Sequence, residues 1–432
     1  MPEPSDSAPP VKEFVAPLTH SYRGAVTAAD AYRAIRGALR LERGTLRLGN
    51  RFVPIDRYRE IAFVALGNAA PSLALGAWEA LGERLTQGII AGASPPPGHV
   101  PFRSWELPLG LPGGPAGLTT SQAVEELAGE LGEKDLLLLL LSPGALAGLA
   151  RPPAGFSGPE WRRFLSATLE AGAGGAEVAL LNRTLATGPT GGRLSEKGRP
   201  GEVETLLLDR GDGAALVGGG PTVPVKPEER AIARGVLERL GHLVEVPAGL
   251  LHALAPSPTE PPARKRTAGR PVLITGPGEA LEGASDSLVD RRWVCRLAAI
   301  TLTEPPEAAA ERLAERAEEI LAELGGVPGR SHRRGEGPAG LAVFAGATLG
   351  LPEGVDERAA VDRFLKAAHA NLRRRHDAVA IFPTSGALTD GGRGAGGFVE
   401  AGPTAEPLHP FAMRSGLTDV GLVAVLLARP GP

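Results

Sequence analysis

Short, almost wholly apolar runs alternate along this chain with longer stretches whose apolar positions recur at helical spacing. IAFVAL (Ile61 to Leu66), LLLLLL (Leu136 to Leu141) and VETLLLD (Val203 to Asp209) lack a sustained polar face. Strands covered on both sides in a parallel sheet read this way. Between them, APSLALGAWEALGERL, TSQAVEELAGELG and a stretch from about Gly158 to Ala171 carry the 3.6-residue period of amphipathic helices. The stretch from Ser94 to Leu118 is rich in Gly and Pro and reads as irregular. The first half is therefore expected to be a Rossmann-like, doubly wound α/β domain.

A proline-rich, charged segment, LAPSPTEPPARKRTAGR, interrupts the pattern, and PVLITG restarts it. WVCRLAAITL, the helical EAAAERLAERAEEILAEL, GLAVFAGA, a helix from Asp356 to Arg375, DAVAIF and VGLVAVLLA then predict a second α/β unit. The expected organisation is a poorly ordered N-terminus over residues 1–20, a first domain over 21–254, a linker or excursion over 255–270, and a second domain over 271–432.

Composition narrows the functional classes. The 432 residues are 43% hydrophobic and 22% charged, with a net charge of −3, a soluble globular profile without general attraction for nucleic acid or anionic membrane. The basic clusters at Arg264 to Arg266 and Arg373 to Arg375 are short enough for solvated surface. The single cysteine, Cys295, excludes an intrachain disulfide and lies in an apolar run, as an inert buried thiol would. The longest apolar stretch, Leu136 to Ala150, contains Pro143 and falls short of the ~20 residues a membrane-spanning helix needs. The N-terminal MPEPSDSAPPVKEF has no apolar signal core, so a cytoplasmic protein is expected.

Ligands of open α/β sheets collect beyond the carboxyl ends of the strands, and six loops occupy such places. ALGNAAPSLALG offers a helix N-terminus, with Asn68 either facing an anion or capping the helix. SPGALAG follows the leucine strand; Pro143 has no N–H and Ala145 resists positive φ, which makes a poor phosphate cradle. NRTLATGPTGGRLS reads as a polar loop with cations at Arg183 and Arg193. LDRGDGAALVGGGPTVP places Asp209 at a strand end, available for Mg²⁺ or as a turn cap. ITGPGEALEG has Gly276 and Gly278 of a dinucleotide fingerprint, with Leu281 at the third glycine's place. IFPTSGALTDGGRGAGG brings Asp390 and Arg393. His369 and His376, seven residues apart, are too far separated to chelate one ion as an i, i+4 pair does.

Taken in order, these loops resemble those of the class II glycerate 2-kinases, the family with a MOFRL C-terminal half, from about Tyr22 to Leu427. The resemblance implies two α/β domains flanking a cleft, the second MOFRL-like, and ATP-dependent phosphorylation of D-glycerate with Mg²⁺. It also implies that most of the transfer groups are replaced. Asn68 in GNAA stands where GKAA has its lysine. SPGALAG keeps Ser142 and Gly144 of SGGGSAL, while Pro143, Ala145 and Leu146 replace two glycines and the serine. Arg183 and GGRL with Arg193 survive from VRKHLSAIKGGRLA, but Thr184 and Thr190 replace two lysines. Asp209, Asp212, Pro221 and Thr222 survive from SDVVGDDLDVIASGPT. SGGETTV becomes FAGATLG, without its glutamate. AAVDRFLK retains Arg363 as the candidate for the family's functional arginine, and Ser385 replaces an aspartate in PTSGALTDGGRGAG.

The expectation is a glycerate 2-kinase-like protein impaired in catalysis, a pseudoenzyme scaffold for a small hydroxy acid or a partner protein, with a homodimer left open. Ser142, Gly144, Arg183, Arg193 and Thr222 would bind substrate or phosphate, Arg363 and the Asn68 position would be catalytic, and Asp209 and Asp212 would hold metal. The alternatives are an active kinase with a rebuilt site, using ATP and Mg²⁺, and an NAD(P)-linked enzyme. Nucleic-acid and membrane partners are not expected.

Overall fold

The computed structural model describes residues 12–92, 100–108, 111–194, 200–211, 213, 215–255, 270–327, 338–351, 358–372, 377–383, 396–400, 408–411 and 422–428. Helices α1 (Lys12–Ala28) and α2 (Ala31–Ala38) lead into an antiparallel meander of β1 (Leu39–Glu42), β2 (Thr45–Leu48) and β3 (Arg51–Pro54). Then follow β4 (Ile61–Leu66), α3 (Ala70–Leu81), β5 (Leu85–Gly92), β6 (Arg103–Glu106), α4 (Pro115–Glu130), β7 (Leu136–Leu141) and α5 (Leu146–Leu149). The chain continues through α6 (Gly158–Glu170), α7 (Gly175–Leu185), β8 (Glu202–Leu208), α8 (Pro227–Leu240), α9 (Ala248–Ala253) and β9 (Val272–Thr275).

Strands β4 to β9 form one parallel sheet in the order β6-β5-β4-β7-β8-β9. Its centre is apolar because it is covered on both faces: every leucine of β7 is at most 1% exposed. Ile61 to Leu66 run in continuous register with Leu136 to Leu141. From β4 the chain builds outward to β5 and β6, and from β7 in the opposite direction to β8 and β9. The topological switch point therefore lies between the carboxyl ends of β4 and β7.

The remaining elements are α10 (Pro277–Val289), β10 (Trp293–Leu302), α11 (Pro306–Glu323), β11 (Gly340–Ala347), α12 (Arg358–Asn371), β12 (Asp377–Pro383), β13 (Gly396–Glu400), β14 (Leu408–Phe411) and β15 (Leu422–Ala428). They form a second sheet, β10-β11-β15-β12-β13-β14, in which only β10 and β11 are parallel. Helices α11 and α12 cover one face; α1 and α10 cover the other. Phe14 and Leu18 of α1 share a continuous core with Phe63 and Leu138 of the first sheet and Phe344 and Ala380 of the second.

Several features depart from the sequence reading. Helix α1 begins inside the stretch expected to be poorly ordered, because Phe14, Leu18 and Ala25 form a buried stripe behind the proline-rich start. The stretch read as irregular contains β6 and the first turn of α4. Strand β9 lies beyond the 255–270 segment, yet it pairs with β8 and completes the first sheet. The charged meander, missed in the sequence, has Arg51 on β3 paired with Glu202 and Glu204 of β8, and the Tyr58 hydroxyl donating to Glu202 Oε2 at 2.6 Å. Burial pushes the Glu204 carboxyl up to about 7 despite Arg51. For Glu202, burial acts upward too, but bonds from Tyr58 and Arg51 prevail and hold it below its usual value.

Candidate functional site

At the switch point, two loops lock onto one another. The Asn68 N–H donates to the Pro143 carbonyl at 2.8 Å, and the Ala69 N–H donates to Ser142 Oγ at 3.0 Å. Ser142, fully buried, passes its own hydroxyl proton to the Leu66 carbonyl at 3.2 Å. Gly67 and Gly144 are needed for this closeness. Each has positive φ, and a Cβ on Gly144 would stand 2.7 Å from Asn68 Oδ1. Asn68 does not cap α3: the N-cap is Ala69, which makes no side-chain capping bond.

The next two loops are joined as closely. Arg183, read from sequence as a loop cation, is in the last turn of α7 and fully buried. Its guanidinium pairs with Glu229 of α8 at 3.2 Å and donates to the carbonyls of Gly219, Gly220 and Pro224. That explains Gly220, the last of three successive glycines with positive φ: a Cβ there would lie 2.2 Å from Arg183 Nη1. The N–H groups of Gly191 and Gly192 donate to Gly219 and Gly220, and that of Leu194 to Pro221. Arg193 Nη1 donates to the carbonyls of Ala186 and Thr190 and to Thr190 Oγ1. Thr222 is buried, its hydroxyl 3.1 Å from that of Thr205.

Asp209, 8% exposed, closes an Asx-type turn by accepting from the Gly211 and Gly213 N–H groups. Beside it, Arg210 is 4% exposed and lines a small crevice with Pro143 and Gly175, a buried cation that the sequence reading passed over. Its only sequence signal was its place directly after a strand-end aspartate. Asp212 lies outside the described residues, as do Ser385, Asp390, Arg393, His376 and both basic clusters. Among the described residues, no group of three His, Cys, Asp or Glu side chains is arranged to hold a metal ion. No described helix is long and apolar enough to cross a membrane.

In the second half, Arg363 is on α12, 58% exposed, with Nε 3.6 Å from Glu307 at the start of α11. The dinucleotide-like turn holds an internal anion, since Glu279 of α10 accepts from the Gly276 N–H at 2.8 Å. Burial raises the Cys295 thiol above its usual range, which suits an unreactive side chain.

A sequence profile described as a domain of unknown function, DUF4147, matches residues 17–255. The chain belongs to the DUF4147 family. One relative of this DUF4147 protein is the D-glycerate 2-kinase of Thermotoga maritima, 31% identical over 186 residues. That alignment takes in 42% of this chain and 44% of the relative, so less than half of the relative's length is matched in sequence. The solved glycerate kinase of Thermotoga maritima superposes with a TM-score of 0.66 at 19% identity, over 96% of this chain and 100% of that one. A protein from Pyrococcus horikoshii superposes with a TM-score of 0.64 at 16% identity, over 97% and 99%. The family resemblance read from the loops, and the fold of two α/β units that it implies, are borne out.

Proposed function

We propose that this chain is a glycerate 2-kinase-like scaffold whose phosphoryl-transfer site is closed, and that it binds a small acid or a partner protein without turning over ATP. The observation that carries this reading is at the switch point: the N–H groups of Asn68 and Ala69 are spent on Pro143 and Ser142. Phosphoryl transfer asks the protein mainly for positioning and for donors and cations facing the transferred group. Here the lysine position holds Asn68, and the retained Arg183 and Arg193 are bonded into their own loops. Losing one preorganised donor costs ~10² to 10³ in rate, and several are lost together.

The competing reading is an active kinase with ATP and Mg²⁺ in a rebuilt site. For Mg²⁺ the described residues fit poorly, because the Asp209 carboxylate is already bonded by two glycine N–H groups. The NAD(P) reading is disfavoured by Glu279, which occupies the anion position of its turn.

The test is thermal unfolding of the full chain with ATP, ADP, D-glycerate and Mg²⁺, alone and combined, beside a coupled assay for ATP-dependent phosphorylation of D-glycerate. A specific ligand at ~100 times its Kd adds ~2.7 kcal/mol, so real nucleotide binding gives a readable shift. The expected result is no shift with nucleotide and no turnover. Turnover that Asp209→Ala abolishes overturns the proposal.

A further inference from the structure

A cavity of about 710 Å³ lies at the carboxyl end of the first sheet beyond β6, reached by the SPGALAG segment at Ala147. Its size is within the ~300 to 1,000 Å³ of ordinary small-molecule sites. Leu107, Leu111 and Ala147 give it an apolar wall; Arg162, Arg163 and Ser166, successive positions on one side of α6, give it a polar one. Neither arginine side chain makes a hydrogen bond or close ion pair among the described residues, although the Arg163 charge acts on Glu160. The nearby carboxylate of Glu160 is committed to the Ser157 N–H and hydroxyl at 2.8 and 2.6 Å.

The first turn of α4 completes the cavity. Its N-cap, Gly114, provides no side-chain acceptor, Pro115 follows, and the first intrahelical bond runs from Leu118 N to Gly114 O at 3.0 Å. The N–H groups of Ala116 and Gly117 precede that bond and have no acceptor within the helix. The Arg162 guanidinium lies against the same backbone, since a Cβ on Gly114 would stand 2.6 Å from its Nη2. A cation therefore faces the positive end of a helix dipole, an unfavourable pairing that an anion placed between them reverses. A Cβ on Gly113 would lie 2.6 Å from the Gly158 carbonyl oxygen, so the entrances of α4 and α6 meet through bare backbone.

We propose that this cavity binds a small organic acid, with its carboxylate between Arg162, Arg163 and the first turn of α4 and its aliphatic body along Leu107, Leu111 and Ala147. Guanidinium groups suit a carboxylate through paired, charge-assisted hydrogen bonds. The apolar wall selects an acid more hydrophobic than glycerate. The proposal deepens the scaffold reading by giving it a ligand class, and it rests on that reading only for the ligand's role as cargo and not as substrate.

The test is calorimetric titration of the full chain with hexanoate, against acetate, 1-hexanol and inorganic phosphate. Hexanoate is expected to bind with a Kd of roughly 1 mM or tighter, and acetate and 1-hexanol at least ~10-fold more weakly. The Arg162→Gln/Arg163→Gln variant should keep the wild-type unfolding midpoint, because both side chains are exposed, and lose ~10-fold or more in hexanoate affinity. Unchanged hexanoate binding in that variant, equal binding of 1-hexanol, tighter binding of phosphate, or no saturable hexanoate binding would each overturn the assignment. No nucleotide is present, so its failure is distinct from that of the scaffold reading, which turns on ATP.

Discussion

Gly24 and Gly283 bring α1 and α10 together through bare backbone. A Cβ on Gly24 would stand 2.1 Å from the Gly283 carbonyl oxygen, and one on Gly283 would stand 2.5 Å from that of Gly24. Gly24→Ala must force the helices apart. Overpacking of this kind costs ~1 to 3 kcal/mol, offset in part by the better helix propensity of alanine. A net loss of stability is expected in urea unfolding. Gly37→Ala, at a helical glycine with nothing within 4 Å, is the control and should stabilise.

Arg183 is expected to behave as a structural residue. Removing one partner of a buried ion pair costs roughly 3 to 5 kcal/mol, and the 20% exposure of the Glu229 side chain places this pair toward the lower end. Both Arg183→Met and Glu229→Ala should therefore lower the urea midpoint substantially. A variant that unfolds at the wild-type midpoint while losing ligand binding would return Arg183 to the list of site residues.

Restoring the family's lysine alone should not restore chemistry. In Asn68→Lys the neighbouring N–H groups remain bonded to Pro143 and Ser142. ATP-dependent phosphorylation of D-glycerate by this variant is expected to stay at background in a coupled assay. A gain of ~10²-fold, the worth of one well-placed catalytic group, would show that the closure is incomplete.

The meander carries a pH signature. The Glu204 carboxyl is raised from its usual 4.5 to about 7 in the folded chain, so between those values the folded state holds a proton that the unfolded state has released. Its contribution to stability is full below the unfolded value and declines as pH rises through the folded one. Urea midpoints from pH 5 to 8 should therefore fall less in Glu204→Gln than in the wild type. Equal slopes would show that Arg51 keeps Glu204 ionised throughout.

The central strands were legible because burial on both faces leaves no room for polar residues, as in Leu136 to Leu141. Strand direction was not. An apolar run such as LVAVLLA serves equally well in either sense, and β15 runs antiparallel to both neighbours. The loops after β4 and β7 were legible, but not their contacts. Asn182, Arg183 and Thr184 look like loop residues because each is polar, yet all three are buried in α7. Asn182 and Thr184 bond back to Val178 and Leu180 within their own helix, and Asn182 also accepts from Trp161 of α6, a partner that sequence spacing alone does not disclose. The meander escaped notice because four-residue strands rich in arginine show too little alternation, although the turn at Arg43 and Gly44, both with positive φ, marks it.

The packing of α1 on α10 also orders events in time. Helix α1 is made well before α10 and finds this partner only once Pro277 to Val289 has been synthesised. At ~5 to 20 residues per second, Phe14 and Leu18 wait roughly 10 to 50 s for their cover. Helix α1 therefore waits long for its cover, and a nascent chain halted before Pro277 presents it as an exposed apolar stripe for chaperones to shield.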